Sequence, residues 1–183
     1  LDPHDADASA RKAALLLSLG RNEDAVKAFE VAIEANPASA ALWLEQGRAL
    51  YRLKAFGEAA DAFDRATRYA PADARSWYLL GLSLEAAKRY EQAVAAFDRT
   101  IALEPRKAKV FLGKGTSLLA LKRYEEAAVA FGQASVLDNT LVPPLLNQGA
   151  CLMELHRYEE AIPVYEAALA RDPKGKRALA NLS

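Results

Sequence analysis

Few side chains in this chain are spaced for chemistry. The segment Leu112-Gly113-Lys114-Gly115-Thr116-Ser117 comes nearest to a phosphate loop. Such a loop needs Gly-Lys followed directly by Ser or Thr, after a strand, so that backbone N–H groups cradle phosphate oxygens. Here a second glycine follows Lys114, and the surrounding pattern is helical. His4 and His156 are the two imidazoles, and neither stands at a metal-ligand spacing. His4 lies beside Asp5 and Asp7, as a solvated group near the terminus would, and His156 falls in a predicted turn between helices. Cys151 is the single cysteine, which rules out an internal disulfide framework. Its place within a predicted helix points to a packed, inert thiol rather than a nucleophile. The acidic pairs Glu125-Glu126 and Glu159-Glu160 sit at predicted helix starts. Carboxylates complement the helix dipole there, so capping explains them better than acid–base catalysis. The chain therefore reads as non-catalytic, with no cofactor and no metal site.

What the sequence does specify is a set of elements. Apolar residues make up 52% of the 183-residue chain, enough for a core, and the composition is rich in Ala and Leu, which favour helix. Lys and Arg together number 24, as do Asp and Glu, so the formal net charge is zero. That balance lacks the basic footprint of a nucleic-acid binder and offers no polybasic membrane anchor. No apolar run approaches the roughly 18 residues of a transmembrane helix. These features together fit a cytoplasmic protein.

The strongest signal is internal repetition. Prolines stand at Pro3, Pro37, Pro71, Pro105 and Pro173, with Asn139 filling the one gap, in steps of 34 residues. With Pro37 as position 32, the repeats are 6–39, 40–73, 74–107, 108–141 and 142–175. Position 8 then reads Ala13, Gly47, Gly81, Gly115, Gly149, and position 20 is Ala25, Ala59, Ala93, Ala127, Ala161. Position 24 is aromatic throughout, as Phe29, Phe63, Phe97, Phe131 and Tyr165, and position 4 carries Trp43, Trp77 and Phe111. Positions 4, 8 and 11 share one helix face and positions 20, 24 and 27 another, so each repeat predicts two helices, A and B, packed face to face. Glycine at position 8 is expected to face the small alanine at position 20 and let the helices approach. Proline at position 32 stops helix B.

These columns resemble the tetratricopeptide repeat (TPR) family, whose pattern places tryptophan, glycine, alanine, phenylalanine, alanine and proline at positions 4, 8, 20, 24, 27 and 32. Position 11 departs from it, being leucine in all five repeats, and so does position 7, which is leucine only at Leu80. The resemblance implies an all-α fold, a right-handed α–α superhelix (solenoid) of about five helix-turn-helix repeats, with A helices lining a concave groove. It makes residues 1–183 a single array. Residues 1–5 read as the end of a preceding repeat and 176–183 as the start of a following helix, so the chain reads as a fragment of a longer array. Pro163, early in the last helix B, predicts a kink near its start, and Pro143-Pro144 open the helix A before it. The junction at Asn139 is a candidate for altered geometry.

In the family, positions 2, 5, 9, 12 and 13 of helix A point into the groove. Here position 5 gives Leu44, Tyr78, Leu112 and Leu146; position 9 gives Arg48, Leu82 and Thr116; position 12 gives Tyr51, Glu85, Leu119 and Met153. Position 13 adds Arg52, and position 2 adds Arg75 and Lys109. The face is largely apolar, which fits capture of a peptide or an amphipathic helix. Arg48, Arg52, Arg75 and Lys109 toward one side suggest tolerance for an acidic partner. The chaperone carboxylate clamp requires lysine at position 5 and asparagine at position 9, and no repeat has either. The resemblance therefore implies a protein-binding scaffold without that clamp. Self-association and service as an accessory domain of a larger enzyme or regulator are the alternatives.

Overall fold

The computed structural model describes residues 3–172. The readings placed on Leu1 and Asp2, on 176–183, and on the side chains of His4 and Asp5 lie outside the described residues. Among the described residues there are ten α-helices and no strand. Helices A are α1 (Pro3–Ser18), α3 (Ala40–Arg52), α5 (Ala74–Ala86), α7 (Ala108–Ala120) and α9 (Pro143–Glu154). Helices B are α2 (Asn22–Ala35), α4 (Phe56–Tyr69), α6 (Tyr90–Leu103), α8 (Tyr124–Leu137) and α10 (Tyr158–Arg171). The B helices start at the same repeat position every time. Pro163 is accommodated inside α10, which keeps the 14-residue length of the other B helices.

The chain forms two compact units, Leu1–Arg89 and Tyr90–Ser183. Within the first, α1 to α5 pack in sequence, each against the next; within the second, α6 to α10 do the same. The border falls between helices A and B of the 74–107 repeat.

Turns between A and B obey one rule. The backbone N–H at position 16 donates to the leucine carbonyl at position 11, as in Ala55 to Leu50 at 3.0 Å and Arg123 to Leu118 at 3.0 Å. This closes a Schellman motif, whose C′ residue must be left-handed. Gly20 fills that place in the first repeat with φ 75°, but Lys54, Lys88, Lys122 and His156 occupy it in the others with φ 58–61°. A side chain in this conformation costs about 1 kcal/mol relative to glycine. Lys122→Gly is therefore expected to raise stability by about 1 kcal/mol, read as a higher urea midpoint at unchanged helicity.

The core follows the columns. Phe63, Phe97 and Phe131 expose no surface, and Phe29 and Tyr165 almost none. The alanines at position 20 are equally buried. One expectation is corrected here. Glycine at position 8 faces the aromatic ring at position 24, not the alanine at position 20. A Cβ on Gly47 would lie 2.7 Å from Phe63 Cε1, on Gly115 2.7 Å from Phe131 Cε1, and on Gly149 2.6 Å from Tyr165 Cζ. The helices thus meet where the far edge of a ring comes up against bare backbone. Gly113 does the same for Phe97, whose Cζ would be 2.6 Å from an added Cβ.

Between repeats, Trp43 Nε1 donates to the Pro37 carbonyl at 2.8 Å and Trp77 Nε1 to the Pro71 carbonyl at 2.9 Å. The tryptophan and proline columns are thus one joint. Neither Phe111 nor Leu145 can donate this way. The junction lacking proline is closed differently, with Thr140 donating its N–H to Asp138 Oδ1 at 3.0 Å and Arg171 Nη1 donating to the Leu141 carbonyl at 3.0 Å.

Candidate functional site

Apart from His4, whose side chain lies outside the described residues, the residues first suspected of chemistry pack, pair or stand in turns. Gly113 and Gly115 receive the Phe97 and Phe131 rings, and Lys114 pairs with Asp98 at 2.6 Å, so the glycine-rich segment is helical packing. Cys151 is fully buried, and burial pushes its thiol up to about 11, with the Glu154 charge adding to the rise. Such a thiol is a poor nucleophile at neutral pH. His156 is exposed in its left-handed turn, 2.7 Å from the Tyr158 hydroxyl. Glu126 and Glu160 start helices B, as expected, and each is bound by the arginine three residues earlier. The Arg123 hydrogen bond holds Glu126 below the usual carboxylate range, and Arg157 does the same for Glu160. Among the described residues no group of His, Cys, Asp and Glu could hold a metal ion. No helix there is long and apolar enough to cross a membrane.

What remains is the face of the A helices formed by positions 5, 9 and 12, taken for each compact unit by itself. In the first unit, Leu44, Arg48 and Tyr51 follow one another along α3, and Tyr78, Leu82 and Glu85 along α5. Spacings of three and four put each trio on one helix face. Leu44, Tyr51, Tyr78 and Leu82 are all half-buried rather than fully exposed. Tyr51 is steadied by Phe56 at the start of α4, ring centroids 5.2 Å apart and edge-on. In the second unit, Leu112 and Leu119 on α7 give part of their surface to the cluster around Phe131, and Leu146 on α9 packs against two clusters, one of Leu145 and Ala168 and one of Leu152, Ala161 and Tyr165. Met153 is 37% exposed, and Thr116 returns its hydroxyl to the Leu112 carbonyl at 2.9 Å. Each apolar residue of these columns therefore serves core and surface together.

The cations are less available than their spacing suggested. Arg48 Nη1 lies 2.8 Å from both oxygens of Glu45. Arg52 Nη1 donates to the Leu17 carbonyl at 2.7 Å, tying α3 to the end of α1. Arg75 and Lys109 stay exposed. The Glu45 partner was legible, since residues three apart on a helix touch. The Leu17 carbonyl, 35 residues from Arg52, was not.

Glu85 is the exception among the acids. It is half-buried, and its carboxylate makes no hydrogen bond or ion pair among the described residues. Burial alone raises its carboxyl to about 6. A carboxylate with a raised folded value favours folding while protonated, so its contribution is fully present below its ordinary value of 4.5. That contribution is lost as pH climbs through about 6. Glu85→Gln should raise stability at pH 7.5 by about 1 kcal/mol, allowing for the water that still reaches the group, and change nothing at pH 4. Thermal melts at the two pH values check this; equal gains at both would contradict it.

Comparison with known proteins agrees with this architecture. A tetratricopeptide repeat family model matches residues 10–74, 56–103 and 78–141, and a second one matches 143–174. No curated protein matches the chain in sequence. Among solved structures, YrrB, described as a TPR protein with an unusual peptide-binding site, superposes with a TM-score of 0.84 at 22% identity over 94% of this chain and 89% of its own. The MamA protein gives 0.87 at 16% identity over 93% of each chain. MamA 41-end from Desulfovibrio magneticus RS-1 gives 0.82 at 17% identity over 94% of this chain and 97% of its own. The repeat columns, the helix boundaries and the matched models together place this chain in the tetratricopeptide repeat family.

Proposed function

We propose that this chain is a non-catalytic scaffold that captures an amphipathic helix or peptide on the groove-lining face of its A helices, formed by positions 5, 9 and 12. The observation that carries the reading is the recurrence of Leu44, Tyr78, Leu112 and Leu146 at one repeat position, each half-buried and none sealed in the core. Solvated surface gives no reason to repeat large apolar side chains in register. YrrB, similar in fold, is described as a TPR protein with an unusual peptide-binding site, which supports peptide binding as a use of this fold. The chaperone carboxylate clamp is not expected, and zero net charge disfavours nucleic acid. The lone cysteine, with zero net charge, fits a cytoplasmic setting.

The test is binding of an 18-residue Leu/Ala amphipathic helical peptide followed by fluorescence anisotropy. Leu44→Glu and Leu82→Glu, both in the first compact unit, are each expected to weaken it about 30-fold, the loss of one anchor side chain, with helicity intact. Undiminished binding by both variants would sink the reading.

A second reading has its own support. On α2 and α4 the outward positions 22 and 29 are charged, as Lys27, Glu34, Asp61 and Arg68, but on α8 they are Val129 and Val136, 65% and 78% exposed. Together with exposed Tyr158 and Ile162 on α10, this apolar surface favours self-association. Light scattering across a concentration series decides it: growth in mass that Val136→Lys suppresses supports it, and a strict monomer rejects it.

A further inference from the structure

We propose that the docking face of the first compact unit selects an amphipathic helix carrying a lysine or arginine within its apolar row, and that Glu85 receives that cation. This rests on the reading of the A-helix face as a peptide-docking surface. Three observations lead to it.

The first is placement. Glu85 follows Tyr78 and Leu82 along one face of α5, whose opposite side holds the buried Leu80, Ser83 and Leu84. A ligand lying on Tyr78 and Leu82 passes over the carboxylate.

The second is the charge inventory. Arg48 is neutralised by Glu45, and Arg52 is committed to the Leu17 carbonyl. Arg75 stands ten residues before Glu85, about 15 Å along the helix axis. The Glu85 carboxylate has no partner within the described residues. Among the half-buried charges of this face Glu85, near the C-terminal end of α5, is thus the one whose charged end has no partner, so the unmatched contact offered beside Tyr78 and Leu82 is an anion, against the acidic-partner expectation drawn from arginine spacing.

The third is energetic. A half-buried carboxylate without a partner has lost hydration and gained nothing in return. A ligand ammonium or guanidinium supplies a charge-assisted hydrogen bond in surroundings of low dielectric, where it is worth most. A ligand carboxylate at the same place adds repulsion to desolvation, so the face discriminates in both directions.

The experiment uses the full chain and three 18-residue Leu/Ala amphipathic peptides, alike except for Lys, Gln or Glu at the centre of the apolar row, titrated by fluorescence anisotropy at low salt. The Lys peptide is expected to bind about tenfold tighter than the Gln peptide, and the Glu peptide more weakly than either. Glu85→Gln should bring the Lys and Gln peptides to parity, and Glu85→Lys should invert the order. Equal binding of all three, or a ranking that survives Glu85→Gln, overturns the role of Glu85 and leaves the docking face standing. No binding by any of them overturns both.

Discussion

Phe131→Ala is expected to cost about 3–5 kcal/mol, the upper part of the range for large-to-small core changes. The ring exposes no surface and packs with Leu118, Ala127, Ala128 and Cys151. Its other wall is Gly115, which has no side chain that could lean into the space. Cavities cost most where the surroundings cannot collapse, and a helix backbone fixed by its own hydrogen bonds is such a surrounding. Phe111, at position 4, is only half-buried, and Phe111→Ala should cost less than half as much. Urea unfolding followed by circular dichroism compares the two. Equal losses would mean that the position-24 rings do not carry the core.

Gly115→Val addresses the same contact from the other side. Its Cβ would lie 2.7 Å from Phe131 Cε1 and 2.8 Å from Cδ1, closer than such atoms approach in practice. The ring is buried and has nowhere to swing, so the α7–α8 pair must part. Overpacking of this kind costs about 3 kcal/mol, larger than the few tenths gained by removing glycine from a helix. Gly57 is the internal control, since a Cβ there meets nothing within 4 Å. Gly57→Ala should leave the urea midpoint unchanged or raise it slightly. Because both partners of the interlock are known, a double substitution is informative: Gly115→Ala with Phe131→Leu should be less destabilising than the two single losses added together. Strict additivity would place the strain elsewhere.

The two predictions bear on how far the sequence alone reaches. The 34-residue columns revealed both helices of each repeat and the aromatic core, because burial imposes the helical period on every repeat alike. They did not give the partner of the position-8 glycine. Helical spacing determines which residues share a face of one helix, but not the offset at which two helices meet. Gly47 therefore seemed to face Ala59, when it lies under Phe63. Charges divide in the same manner. Glu45 and Arg48 are three apart, so their pairing follows from the sequence. Arg52 reaches a backbone carbonyl one repeat away, which no column reveals. The candidate docking face was legible as an apolar register, but the partners of its charges were not. Its arginines stand out in the sequence, whereas the isolation of Glu85 appears only when its surroundings are in place.

The central claim is that the A-helix face of the first unit is where a ligand helix docks. Amide hydrogen exchange of the full chain, with and without the lysine-centred Leu/Ala peptide, tests it most directly. The account predicts added protection in α3 and α5, around Tyr51, Tyr78 and Leu82, and none on the outer side of α8. Protection confined to α8 and α10, around Val129 and Ile162, would contradict it.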